Sequence, residues 1–542
     1  MQYLELGSTV YSITNRYYSC MKNLIILYAG EAGKYAKENI LGQNAISRSL
    51  QWAKQISNVC AIKTIENKQT LKDVFDYMLK NALEYEADTI IFAHSECPFY
   101  STTITEELLQ TQLKYAAEYT FADGFPYGIA PEVLNIGTVK ILNTLIKDKA
   151  DFCTNPISKN SIFELMQTDI NSFEIETVLS KKDYRSFRID FSCDTKRNFL
   201  LCKQLVQKLV QNETQSMQNT FDAANFNMYT LCDEAINTAS VLRTLPAYYE
   251  VQIVKGVKNP TIYDTPNMQY EPNNRMSFEK LAILIDKIAD FSDDAVISLS
   301  LFGDPLLHPD FVKIVKKVLS YKSLSLLIET DGIEITENLI NEITQIIKES
   351  GNRNFNMEPI NWIIRLDSIK VETYGKIRNI SDIAMANILY QKAMRTVLLL
   401  KQSFKNVVYP QFVRMTDNEM EMEEFYRYWD KQFDEKFIIQ KYDNCTGLLK
   451  DRTVANLEPL KRTPCWHLCR DMCILIDGTV PVCKEAVFAK QVGKQQFPDC
   501  GNAFTDSMHQ IFAKGMQAFQ SHLDGKYSSQ CKACDEYYTY NF

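Results

Sequence analysis

The stretch YEVQIVKGVKNPTIYDTP, Tyr249 to Pro266, decides the fold. It opens as an alternating apolar strand, Tyr249 to Val254, and breaks at Gly256 into a loop carrying Pro260 and Pro266. A second apolar strand, Ala295 to Phe302, ends in Gly303-Asp304-Pro305. Between the two, Ser277 fits the N-cap of a helix with Leu281, Leu284, Ile285, Ile288 and Phe291 on one face. Strand, loop, amphipathic helix and strand make a βαβ unit, and the pattern repeats downstream. The predicted strands are 249–254, 295–302, 324–330, 362–368, 407–415 and 437–443. Functional groups in such a fold gather where loops leave the C-terminal ends of the strands. Candidates there are Gly303, Asp304 and Pro305, then Glu329 to Gly332, Leu366 to Ser368, Gln411 and Arg414, and Gln440 and Lys441.

The motif "G-x4-T-x-Y-x-T-P" in the quoted stretch resembles the first half of a radical S-adenosylmethionine (SAM) domain. The whole chain resembles the spirochaete-type spiro-SPASM proteins of the radical SAM/SPASM family. The resemblance implies a partial (β/α)6 barrel whose first loop carries C-x3-C-x2-C, three thiolates that ligate a [4Fe–4S] cluster. Those positions here are Val257, Thr261 and Asp264. Soft thiolates hold iron–sulfur cubes, and these three side chains do not replace them. Reductive SAM cleavage at this loop is therefore not expected. The resemblance also assigns the motif after the second strand to the amino group of SAM. Asp304 stands there for Glu, with a reach shorter by roughly 1.5 Å, one C–C bond. His308 reads as a turn residue capping the next helix.

The C-terminal region carries the metal signal. Cys465, Gly478 and Cys483 give C-x12-G-x4-C, and Cys531-x2-Cys534 adds a close pair. The resemblance makes this a SPASM-like domain. The stretch reads as a strand (Met472 to Ile476), an Asp-Gly turn and a second strand (Thr479 to Cys483), a hairpin able to bring Cys465 and Cys483 together. Four thiolates suit one [4Fe–4S] cluster or one Zn²⁺. Cys469 and Cys473 are alternative ligands or packing. A second auxiliary cluster is not expected, because Tyr540 occupies the position where the full pattern needs a cysteine.

Upstream, the predicted elements are strand 23–30, helix 44–56, strand 59–65, helix 69–87, strand 88–94 and helix 104–120, an α/β pattern with a mostly parallel sheet. This part resembles the nucleotidyltransferase fold. There the resemblance implies phosphate binding by a glycine-rich turn, here Gly30 and Gly33, and Mg²⁺ at the position of Glu96. Asp190, Asp194 and Thr195 fit the closing strand. Residues 1–20 lack an amphipathic period and point to an upstream extension or a misassigned start codon. The polar stretch Gln211 to Asn227 reads as a linker. The expected domains are thus 21–210 (nucleotidyltransferase-like), 211–245 (helical linker), 246–445 (partial barrel) and 446–542 (Cys-rich).

A length of 542 residues fits three or four domains, with 46% hydrophobic and 23% charged residues typical of a globular chain. A formal charge of −8 argues against nucleic-acid partners, and the apolar runs are too short to span a membrane. The 15 cysteines are expected as thiols, ligands or buried fillers of a cytoplasmic protein. The favoured function is a non-radical family member that binds SAM, a peptide or another partner. An active radical SAM enzyme on a small molecule or peptide, and a nucleotidyltransferase activity in the N-terminal region, are the alternatives. Whether the chain is an enzyme stays open.

Overall fold

The structure is a computed structural model that describes residues 21–30, 32–67, 69–154, 157–212, 227–432, 436–494 and 497–539. The expectations for residues 1–20 and for most of the polar linker lie outside these residues. Two compact units divide between Thr244 and Leu245.

In the first unit, β1 (Asn23–Tyr28), β2 (Val59–Ile65), β3 (Thr89–His94), β4 (Tyr119–Asp123), β5 (Glu132–Asn135) and β6 (Ile175–Leu179) form one sheet in the order β2-β1-β3-β5-β4-β6. Only β5 runs antiparallel to its neighbours. Period-two alternation splits the core onto two faces. Leu24, Ile26, Ile90 and Phe92 pack with α2 (Leu71–Tyr85), while Ile25, Leu27, Ile91 and Ala93 pack with α1 (Ala45–Ala53) and α3 (Thr102–Tyr115). Asn44 caps α1, and Thr70 with Asp73 makes a capping box on α2. The helix expected over 104–120 stops at Tyr115, because Ala116 adopts a left-handed φ of 52°. The aromatic and β-branched residues that follow form β4 instead.

In the second unit, β7 (Tyr248–Val251), β8 (Ala295–Ser298), β9 (Leu324–Thr330), β10 (Ile360–Arg365), β11 (Val408–Arg414) and β12 (Ile438–Lys441) pair parallel in chain order. Amphipathic helices connect them, among them α4 (Phe278–Phe291), α5 (Phe311–Leu319), α6 (Glu337–Ser350) and α7 (Ile383–Ser403). Ser277 caps α4, whose Leu281, Leu284, Ile285, Ile288 and Phe291 are buried.

The C-terminal region extends this arc and adds a small two-stranded sheet of its own. Its strand β13 (Asp471–Ile474) adds to the outer edge of β7, parallel, in the register Asp471 to Tyr248 through Ile474 to Val251. The expected boundary at 445/446 therefore falls inside one sheet. The expected hairpin is also corrected. Its turn exists, with Leu475 N–H bonded to Thr479 O at 2.9 Å, but β13 pairs with β7. The following β14 (Thr479–Val480) pairs with β15 (Gly501–Asn502). Main-chain bonds of β7 decide this, since its edge would otherwise lie unpaired. A chain ending at residue 445 should accordingly lose cooperative urea unfolding of the second unit, followed by circular dichroism. An unchanged transition would mean that the C-terminal segment folds apart.

Candidate functional site

The strands of the second unit turn every second side chain into a common lumen. Tyr248, Leu327 and Ile363, with Val296 and Ile438, form an apolar floor. Two residues further along each strand lies a polar layer of Glu250, Ser298, Glu329, Arg365 and Gln440, which lines a cavity of about 820 Å³. The same cavity reaches Gly303, Asp304, Asp443, Lys484 and all four cysteines Cys465, Cys483, Cys531 and Cys534.

The loop after β7 is held by its own polar groups. Thr261 donates its backbone N–H and its hydroxyl to Asp264 Oδ2, at 2.7 and 3.0 Å. Arg365 Nη1 meets Asp264 Oδ1 at 3.0 Å, with both side chains buried. Val257 is buried beside them, and the next residue along from Thr261, Ile262, donates its N–H to Ile377 O at 2.7 Å. Tyr263 donates to the buried Asp367 at 2.8 Å, so Asp367 serves the loop's position. Of positions 257, 261 and 264, the last carries the ion pair, Thr261 braces it, and Val257 packs beside it.

Gly303 packs so tightly that a Cβ would lie 2.1 Å from Val254 O, which only glycine permits. It brings Asp304 to the cavity wall, following Gly256 O, which accepts from Asp304 N–H at 3.1 Å. Asp304 is 4% exposed and accepts from Thr330 Oγ1 at 2.7 Å and Leu306 N–H at 3.0 Å. Burial, then the neighbouring Asp331, raise its pKa to about 7. His308 is a strut. Its Nδ1 accepts from Asp310 N–H at 3.1 Å, which leaves Nε2 to donate to Met276 O at 2.8 Å.

Three short helices present the cysteines. Cys465 precedes the helix Trp466–Arg470, Cys483 precedes α8 (Lys484–Gln491), and Cys531 lies in the helix Ser529–Ala533, followed by Cys534. Electrostatic coupling links the four: Cys483 feels Cys465 and Cys531, and Cys534 feels Cys465 and Cys483. The close pair is fixed by Arg462, which donates to Cys534 O at 2.9 Å and to Cys531 O, and stacks 3.8 Å from the Tyr537 ring. Glu536 N–H approaches Cys534 Sγ at 3.4 Å. Burial pushes all four thiols up, Cys465 to about 12. Their thiolates need a cationic centre, and loading one releases protons. Among the described residues no three of these sulfurs lie within 4.8 Å of one another. Cys473 lines the cavity from β13, and Cys469 lies on the helix Trp466–Arg470.

Other residues named from sequence lie elsewhere or serve the fold. Arg414 pairs with Glu419 at 2.7 Å, and Gln411 donates to Gln440. Lys441 bridges Asp535, at 2.9 Å, and Glu536. In the first unit Glu96 is 1% exposed and faces His94 Nδ1 at 3.5 Å. Lys159 Nζ bridges Asp190 and Asp194, the latter at 2.7 Å, and so supplies the positive charge those carboxylates need. Gly30 is required by packing, since a Cβ would meet Tyr28 OH at 2.5 Å. The reading of the sequence passed over Glu250, Arg365 and Lys484. A charged residue at an inward position of an apolar strand was the available signal for the first two.

The fold and site define an α/β protein whose parallel strands enclose a carboxylate-rich lumen next to four cysteines. No family model matches the chain. It is 36% identical over 393 residues to an uncharacterised protein of Treponema pallidum (strain Nichols), 72% of this chain and 100% of that one, and it belongs to that protein's family. Its likenesses to solved structures are fainter. A cytidylyltransferase from Leptospira borgpetersenii (13% identity, TM-score 0.32) matches 39% of this chain and 92% of that one. The enzyme anSMEcpe with bound AdoMet (13%, 0.37) matches 54% and 87%, and Streptococcus suis SuiB bound to the precursor peptide SuiA (12%, 0.38) matches 65% and 86%. Among the described residues no helix is long and apolar enough to cross a membrane.

Asp304 gives this site a pH signature. Its folded-state pKa of about 7 exceeds the ordinary 3.8, so the folded protein retains a proton that the unfolded chain releases. Its contribution to stability is present below pH 4 and lost as pH rises toward 7. Urea unfolding of Asp304→Asn across pH 4 to 8 should show a flatter decline than wild type. Parallel curves would contradict the assignment.

Proposed function

We propose that this chain is a radical SAM/SPASM-type protein that no longer cleaves SAM. Its barrel binds a small-molecule or peptide ligand, and its four cysteines, Cys465, Cys483, Cys531 and Cys534, hold one [4Fe–4S] cluster. The observation that carries the reading is the Asp264–Arg365 ion pair, closed over the positions where the resemblance calls for three thiolates. Asp264 spends one oxygen on Thr261 and the other on Arg365, and Val257 offers no donor atom. A guanidinium held there repels an added cationic iron centre, and removing its carboxylate partner would leave a buried charge uncompensated.

The cluster assignment rests on the four-cysteine donor set gathered at one cavity and on the resemblance of its spacing to the SPASM pattern. Once bound, such a cluster supplies electron transfer at the cavity wall. Arg462 would fix the carbonyls of the Cys531–Cys534 turn, and Glu536 N–H would donate to the Cys534 sulfur. Asp304 retains a carboxyl group suited to the amino group of an aminoacyl ligand, SAM included. In the first unit Lys159 bridges Asp190 and Asp194, so those two carboxylates are already compensated. Free thiols throughout the described residues suit a reducing cytoplasm. The layout of a nucleotidyltransferase-like unit followed by the barrel and its Cys-rich extension belongs to the same proposal.

Anaerobic protein, reduced with dithionite and given SAM, should release no 5′-deoxyadenosine above a protein-free control when followed by mass spectrometry. One equivalent or more per chain would overturn the reading and restore the radical SAM enzyme.

A further inference from the structure

We propose that the lumen of the second unit receives a positively charged nitrogen group, an ammonium or guanidinium, between Glu250 and Glu329. The inference rests on the reading of this cavity as a ligand site and names the class of ligand.

Charge balance leads to it. The cavity is lined by eight carboxylates and only four lysine or arginine side chains. Three of those four are committed: Arg365 to Asp264, Lys441 to Asp535 and Glu536, and Arg462 to two backbone carbonyls. The fourth, Lys484, stands 3.8 Å from Asp443 and 3.9 Å from Glu485. Glu250 and Glu329 remain without a hydrogen bond or ion pair to their carboxylates among the described residues. Carboxylates shielded from bulk water without a hydrogen bond are costly, so a partner from outside gains what the fold has not supplied. Burial pushes both groups upward, offset in part by Lys484 and His467 near Glu250 and by Arg365 and Lys484 near Glu329, none of which reaches either carboxylate as an ion pair.

Geometry selects an organic cation over a metal ion. Glu250 on β7 and Glu329 on β9 are separated by β8, and strands about 4.8 Å apart place their backbones roughly 10 Å from each other. Neither belongs to a group of three ligand atoms within 4.8 Å of one another. A divalent cation needs such a group, whereas an ammonium or guanidinium can donate to both sides of the gap. Ser298, directly between them in register with Glu250, adds a hydroxyl. The apolar floor of Tyr248, Leu327 and Ile363 closes the lumen beneath, so the ligand enters charge-first from the mouth near Asp304 and leaves its remainder there.

The test uses calorimetric titration of the full chain with 1,5-diaminopentane, pentylguanidine, neutral 1-pentanol and anionic glutarate. A lysine-bearing pentapeptide amide and its norleucine counterpart distinguish a free amine from a peptide side chain. Diamine or guanidine should bind and pentanol and glutarate should not, and Glu250→Gln or Glu329→Gln should each weaken binding about tenfold, the loss of one charge-assisted bond. Each variant, free of ligand, should melt at or above the wild-type temperature, because it removes a carboxylate that no hydrogen bond or ion pair holds; a merely structural glutamate would lower it. Binding of pentanol or glutarate as tightly as the diamine, unchanged affinity in both variants, or no amine binding at millimolar concentration would each overturn the proposal. Were the variants to misfold, the diamine-against-pentanol comparison on wild type decides alone. Release of 5′-deoxyadenosine together with amine binding would remove the functional reading and leave this one standing; the reverse pattern would do the opposite.

Discussion

A guanidinium cannot shed its charge inside a protein, and Arg365 stands at the C-terminal end of β10 only 6% exposed. Asp264 must therefore sit against it, and the loop after β7 is folded to bring it there. The turn from Val257 to Asp264 draws in behind this contact through the Thr261 bonds and the reach of Tyr263 to Asp367. Breaking one partner of such a pair costs on the order of 3–5 kcal/mol, because the other charge is stranded. The mouth of the lumen is thereby closed by an internal ion pair.

The alternation of the strands governs what remains of the lumen. One set of inward positions is apolar and fills the floor, and the next set is charged and stays open to a ligand. The C-terminal segment then serves two purposes through one strand. By pairing with β7, β13 covers an exposed edge, and it carries the flanking Cys465 and Cys483 to the cavity where the Cys531–Cys534 turn meets them. Completion of the sheet and the placement of Cys465 and Cys483 thus share one strand.

Much of this is local enough to be legible. The cap at Ser277 and the stripe on α4 need only a dozen adjacent residues, and the repeat of strand and helix follows from hydrophobic period alone. The cysteine spacing names the four thiols, but their approach depends on segments far apart in the chain. Long-range pairing is what the sequence conceals. Asp264 and Arg365 are 101 residues apart, and β13 meets a strand more than two hundred residues earlier. The hairpin reading failed for that reason, since a well-formed Asp-Gly turn is compatible with strands that go to different partners. The helix drawn through Tyr119 failed because a single left-handed residue, Ala116, ended it. Glu250 was in view within the deciding stretch and passed unread, because its meaning lies in which face of the strand it occupies.

The central claim is one iron–sulfur centre per chain, held by the C-terminal cysteines, with none at the mouth of the barrel. Iron and acid-labile sulfide, counted on anaerobically purified wild type beside Cys531→Ala/Cys534→Ala, test it most directly. The account predicts about four of each per chain, lost in the double variant. A count near eight with half retained in the variant would place a second cluster in the barrel and contradict it, and one zinc without sulfide would contradict the cluster itself.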